Sequence, residues 1–260
     1  FELSKWGIPV VAMSAAVAGL TSPITIAGTT AQVNAENLAS LVISQTAREG
    51  APFIYSSDSC PGDLQSGSID YSALEASLMR TAIGQIGRSY GLPTMVTGVG
   101  TENLSLTLAN AWEGVPHVAL QTMIPSDLGS GLGGIDQAMG ASTEQFVADA
   151  WVWEIAKNIA RDFEFDDAAI SFETISEAGV DGKFLSKRHT VSRFRKEAIS
   201  TVLPSAALGT RSKETDRGAL LRKAKVEADR MLAAGKEVVS KDEDAAMANL
   251  MKEIRKRYGH

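Results

Sequence analysis

The stretch "GLPTMVTGVGTENLSL" (residues 91–106) decides how this chain is read. Gly91 and Pro93 punctuate its start and close the element before it. "LPTMVTGV" (92–99) then has the length and apolar character of a buried strand. The run ends on Gly98 and Gly100, followed by Thr101, Glu102 and Asn103. A strand through the interior thus delivers polar groups to one edge of the fold.

Similar units lie on both sides. "IPVVAM" (8–13) is strand-like and precedes helical periodicity over 34–49, with Leu38, Leu41 and Val42 on one face. "APFIYSSD" (51–58) is the next strand. Ser72 and Glu75 have the spacing of a capping box and predict a helix start. After a short helix near 106–112, "PHVALQTMI" (116–124) reads as the fourth strand. Ser142 and Gln145 form a second capping box, opening a helix to about residue 161. Phe146, Val147, Ala150, Trp151, Trp153, Ile155 and Ile159 make that helix apolar nearly all round, which predicts burial on most sides. Strand, loop and helix in succession imply a parallel α/β arrangement. In such folds the functional edge lies at the C-terminal ends of the strands. That edge would carry Met13 and Ser14, residues 55–58 with Tyr55 and Ser56, residues 98–103, and residues 121–123 with Gln121. Beyond Pro204 the chain becomes charged and poor in aromatics. We therefore divide it at residues 1–203 and 204–260, the second part a solvated helical tail with a thin stripe of Leu220, Leu221, Val226 and Met231.

Composition bounds the function. A single cysteine, Cys60, excludes an intrachain disulfide and lacks the partners of a zinc site, and a reducing cytoplasm is expected. No tightly bound metal is expected. No apolar run reaches the roughly 18 residues of a membrane span. Pro9 interrupts the apolar segment after Lys5, which speaks against a signal peptide. The start at Phe1 suggests a piece of something longer. Residues 1–156 hold only Lys5, Arg48, Arg80 and Arg88 against fourteen Asp and Glu. Such an acidic body argues against nucleic acid and would suit a cationic ligand, although ordinary solubilising charge explains it as well.

Single motifs settle little. Gly129, Gly131 and Gly134 have GxGxxG spacing, but no helix opens at once and Asp127 and Asp136 flank the loop. A flexible loop at the mouth of the fold is the better reading. His117 opens an expected strand, so it belongs at the edge away from the site. The acidic neighbours of Cys60 would raise its pKa, as expected of a structural cysteine. Glu102 fits three roles equally: ligand for a cation, general base, or loop cap.

Five stretches taken in order resemble the trimethylamine methyltransferase family of corrinoid-dependent enzymes. They are "LTSPITIAGTTAQ", "NAENLASLVISQTAREGAPFIY", "GLPTMVTGVGTEN", "GLGGIDQAMGASTEQFVAD" and "GKFLSKRHTVSRFRKE". Glu102 stands where the family usually carries Asp. The resemblance implies a TIM-type (β/α)8 barrel, of which this chain supplies about four βα units, the C-terminal half, plus helices. It also implies a methylated amine as substrate and a separate corrinoid protein as methyl acceptor. Archaeal members acting on trimethylamine carry pyrrolysine, which can be printed as lysine. No lysine stands between Lys5 and Lys157, so the likeness is to the non-pyrrolysine, glycine betaine branch. On this reading Glu102 and Asn103 orient a cationic methyl donor. Tyr55, Ser56, Gly98, Gly100, Thr101, Gln121 and Gly133 line the approach of substrate or corrinoid. Assembly into a homo-oligomer is compatible with all of this. Two rivals remain: a betaine-like solute-binding module without catalysis, and a TIM-like barrel of other chemistry, with no strand-end lysine for a Schiff base.

Overall fold

Val10–Ser14 (β1), Phe53–Ser57 (β3), Thr94–Thr97 (β5) and Leu128–Ser130 (β6) form a parallel sheet in the order β1-β3-β5-β6. Short pairs flank it: Val17–Ala18 (β2) with Cys60–Pro61 (β4), and Gly134–Ile135 (β7) with Gly140–Ala141 (β8). The computed structural model describes residues 1–98, 101–107, 109–110, 113–114, 117–118, 120, 124, 126–197, 218–235 and 239–258.

After the short Glu2–Lys5 (α1), Ile26–Ala47 (α2) and Leu74–Ser89 (α3) cover one face of the sheet. Strand alternation sorts the side chains. Phe53 and Tyr55 pack with Ala16, Val33 and Ile83 under these helices, each large side chain contributing roughly 1.5–3 kcal/mol by burial. The alternate positions, Val11 with Ile54, and Met13 with Ser56, Met95 and Leu128, face the other way. Val11, Met13 and Leu128 are 38, 46 and 48 % exposed there. The sheet is thus helix-covered on one side, with apolar side chains open on the other.

The sequence predicts four parallel strands; among the described residues the main sheet has four, but its fourth is elsewhere. His117, Val118 and Leu120 in the expected strand 116–124 are helical, and Ile124 N–H donates to Leu120 O over 3.1 Å. The strand is Leu128–Ser130, inside the glycine-rich stretch. A short apolar run does not distinguish strand from buried helix, and glycine hides a strand because it is depleted there.

Two helix readings also change. Ser72 does not cap α3: Asp70 Oδ1 accepts from the N–H groups of Ser72 (3.1 Å) and Ala73 (3.0 Å). In α2 the buried face is Thr29, Thr30, Val33, Asn37 and Ser44, while Val42 is exposed. Asn37 Nδ2 donates to Ser56 O at 3.0 Å, tying helix to strand.

Thr143–Ile159 (α4) starts where Ser142 Oγ accepts from Gln145 N–H at 3.2 Å. It buries Val147, Ala148, Trp151 and Ala156, yet Phe146, Ile155 and Ile159 are exposed, so one face rather than most of it is covered. Asp167–Ile170 (α5), Phe172–Ala178 (α6) and Arg188–Glu197 (α7) follow. Ala219–Ala234 (α8) then returns to pack on α4. Its inward stripe is Leu220, Ala224 and Ala228, at i, i+4, i+8, with Ala224 at 0 % and Ala228 at 4 % exposure. Of the stripe expected from the sequence only Leu220 lies there; Leu221, Val226 and Met231 are exposed. Lys241–Tyr258 (α9) ends the chain's described part.

Candidate functional site

The polar edge is built by two neighbouring clusters. The first gathers around Arg80 on α3, whose guanidinium is buried. Its Nη2 reaches Asp58 Oδ1 at 3.3 Å, just past the end of β3, and its Nη1 meets His117 Nε2 at 2.6 Å. The guanidinium also lies 5.6 Å from the ring centroid of Tyr71. Arginine only donates, so His117 Nε2 accepts and the ring proton sits on Nδ1, against Ser77 Oγ. Burial, then Arg80, pushes the His117 pKa down to about 4, which keeps the ring neutral. His117 is therefore part of this cluster and not at the edge away from it, because its segment is helical. Burial raises Cys60 to about 11 despite Arg80 nearby, so its thiol stays protonated, as a structural cysteine requires.

Glu102 joins this cluster from the β5 side. Its Oε1 accepts from Tyr71 N–H at 2.9 Å. Its pKa is raised, first by burial and then by the adjacent Asp70 carboxyl. Asp58, Asp70 and Glu102 thus bring three carboxyl groups around Tyr71, with Arg80 the buried counter-charge. A positively charged ligand is the chemistry such a group can serve.

The second cluster joins Thr101, Asn103 and Glu113. Thr101 Oγ1 donates to Glu113 Oε2 at 2.6 Å, and Asn103 Nδ2 donates to Glu113 Oε1 at 2.7 Å. Asn103 O accepts from Asp136 N–H at 3.2 Å, and Thr101 N–H donates to Gly134 O at 3.2 Å, which docks the glycine loop onto this segment. Asp136, Gln137 and Ala138 of that loop all have positive φ.

The glycine loop is pinned rather than free. Gly133 N–H donates to Asp149 Oδ2 at 2.8 Å. Asp149 Oδ1 takes Gln145 Nε2 at 2.7 Å, and Gln145 Oε1 takes Asn110 Nδ2 at 2.8 Å. Burial is the main cause that lifts Asp149 to about 6. Gly129 lies inside β6 beneath Trp153, so these glycines do not form a phosphate loop.

Of the residues expected at the edge, Glu102, Asn103 and Thr101 are gathered there, and Gly98 sits beside them with its N–H on Ser130 O at 3.1 Å. Gly133 joins through the loop. Tyr55 does not: it is in the helix-covered core, with its hydroxyl on Asn34 Oδ1 at 2.7 Å and its pKa raised to about 12, chiefly by burial. Strand alternation turns it toward the helices. Ser56 is buried against the next strand, donating to Met95 O at 2.7 Å. Gly100 and Gln121 lie outside the described residues. At the end of β1, Ser14 and Glu36 are hydrogen-bonded and line an open cleft of about 140 Å³ with Met13 and Ser40. Asp58 lies where the sequence places the edge, at 55–58, whereas sequence reading misses Asp70, Tyr71, Arg80 and Glu113. Arg80, one of the few basic residues in an acidic stretch, is the one visible signal.

The family model described as trimethylamine methyltransferase (MTTB) matches residues 2–257. Glycine betaine methyltransferase of Desulfitobacterium hafniense (strain Y51) is 29 % identical over 210 residues, covering 80 % of this chain and 44 % of that protein. Trimethylamine methyltransferase MttB of Methanosarcina barkeri (strain Fusaro / DSM 804) is 27 % identical over 187 residues, covering 72 % of this chain and 38 % of its own length. MttB of Desulfitobacterium hafniense (strain DSM 10664 / DCB-2) is 25 % identical over 202 residues, covering 78 % and 41 %. The matches thus span less than half the length of these curated relatives.

Proposed function

The chain belongs to the trimethylamine methyltransferase family, and from that premise we propose that it is part of an enzyme that moves a methyl group from a quaternary amine, of the glycine betaine kind, to cobalt(I) of a corrinoid protein. On this proposal the four-stranded sheet is one half of a TIM-type barrel, and further βα units cover the open face of Val11, Met13 and Leu128. Residues 1–203 belong to the barrel and the helices after it, and 204–260 form an appendage.

The observation that carries the reading is the group of Asp58, Asp70 and Glu102 around Tyr71 at the strand ends. Carboxylates and an aromatic ring suit an ammonium group. The cobalt(I) electron pair forms the Co–C bond while the C–N pair leaves on nitrogen. A quaternary donor departs as a neutral amine, so no proton has to be supplied. What the protein contributes is orientation, with one methyl held toward the acceptor. Glu102 and Asn103 hold the ammonium end, while Gly98 and Gly133 keep the backbone approachable. The setting is a cytoplasmic one.

The test follows the loss of cobalt(I) absorbance when reduced cobalamin is mixed with the protein and glycine betaine, trimethylamine or dimethylamine. Consumption with glycine betaine alone supports the reading. Consumption with trimethylamine alone moves the assignment to tertiary amines. Calorimetric binding of glycine betaine without any consumption favours a solute-binding homologue. Glu102→Gln should weaken glycine betaine binding by about tenfold, about 1.4 kcal/mol, in keeping with loss of a charge–charge attraction near the protein surface; unchanged affinity removes Glu102 from the site.

A further inference from the structure

Helix α9 carries an apolar face. Met247, Leu250, Met251 and Ile254 follow the i, i+3, i+4, i+7 spacing that aligns side chains on one face of a helix. They are 49, 56, 49 and 41 % exposed. Among the described elements none packs against α9 as α8 packs against α4.

The charges on this helix say what fits the stripe. Its first turn holds Asp242, Glu243 and Asp244, and its last turn holds Arg255, Lys256 and Arg257. Charges placed in this way also favour the helix dipole, so by themselves they identify no partner. Their register with the stripe does. At about 100° per residue, Asp244 and Arg255 fall on the same flank of the apolar face. The midpoint between them coincides, to within about one residue, with the midpoint of the stripe from Met247 to Ile254, close to Leu250. A two-fold axis running beside the helix at that point, perpendicular to it, would lay stripe on stripe and at the same time set each acidic first turn beside a basic last turn. Parallel pairing would set like charge against like.

We propose that α9 pairs antiparallel with α9 of a second copy of this chain, giving a two-fold dimer whose interface is self-complementary. The helix has 18 residues, about 27 Å of length. A pair of that size buries less than the roughly 1,600 Å² of a standard interface, so association belongs in the micromolar range.

Sedimentation velocity of the full chain from about 1 to 200 μM is the experiment, with circular dichroism to confirm that each variant stays folded. The wild-type chain should pass from monomer to dimer across this range, and Leu250→Glu/Met251→Glu should remain a monomer. The orientation is read from two charge variants. Asp242→Lys/Asp244→Lys makes both ends of α9 basic, and Arg255→Glu/Lys256→Glu makes the last turn acidic. Each alone should dimerise at least tenfold more weakly, and an equimolar mixture should recover dimer. A wild-type chain that is monomeric throughout overturns the proposal. So does a dimer indifferent to the stripe substitutions, or a pair of charge variants that do not recover on mixing.

Discussion

Two buried titrating residues dominate the chemistry at the scale of single side chains, and they pull in opposite directions. Asp149 has a folded pKa of about 6 against the ordinary 3.8. The folded state therefore holds that proton more tightly than the unfolded chain. Its contribution to stability is present below pH 3.8 and is lost as the pH rises through about 6. His117 has a folded pKa of about 4 against 6.5, so its contribution is present above pH 6.5 and is lost as the pH falls through about 4. Each is worth on the order of 3 kcal/mol across its window, and the two largely offset. Asp149→Asn keeps an acceptor for Gly133 N–H but removes one of the opposing slopes. Urea denaturation at pH 4.5, 5.5 and 7 should then show the variant losing on the order of 2 kcal/mol more than wild type on acidification. Parallel profiles would mean that Asp149 does not titrate in this range.

At the level of elements, close approach decides the packing of α3 on the sheet. A Cβ at Gly87 would stand 2.7 Å from Thr94 Cγ2 and 2.9 Å from Tyr55 Cδ1. Both neighbours are fully buried and cannot yield. Gly87→Ala gains about 1 kcal/mol of helix propensity but incurs about 1–3 kcal/mol of overpacking. A net loss of about 1 kcal/mol is expected in chemical denaturation, and a stabilised variant would show that helix and sheet separate easily. The glycine loop behaves in the opposite sense. Ala138 has φ 65°, a conformation that costs an L-residue about 1–2 kcal/mol, and its side chain is exposed. Ala138→Gly removes that cost and gives back part of it as unfolded-state entropy. A gain of about 0.5 kcal/mol in thermal or chemical unfolding is the expected result. The loop that anchors on Asn103 O and Asp149 thus holds its shape at some cost, and it lies beside the residues proposed to receive the amine.

For the molecule as a whole, the open sheet face is the leading feature. Val11, Met13 and Leu128 expose apolar surface beside β1 and β6, the outer strands of the sheet among the described residues. Natural proteins cover such edges and faces. A hydrophobic dye such as anilinonaphthalene sulfonate should bind this chain with enhanced fluorescence, and Val11→Asn/Met13→Gln/Leu128→Gln should reduce the signal by at least half. An unchanged signal would mean that the dye reports another surface. Several features are legible in the amino-acid order alone. The alternation of strand-like and helical runs marks the parallel α/β class, since periodicity is local. Ser142 as a helix start and Glu102 with Asn103 at a polar edge also follow from neighbours in sequence. Five stretches in family order point to the family. The tertiary structure alone decided the rest. It moved the fourth strand from 116–124 to Leu128–Ser130, because strand or helix in a short run is settled by what packs on it. It turned Tyr55 into the core through the side of the sheet that α2 and α3 cover. It also brought Asp58, Asp70, Tyr71 and Arg80 to Glu102 from separate loops and a helix, because a cluster of charges is held by contacts across the chain that no spacing along it records.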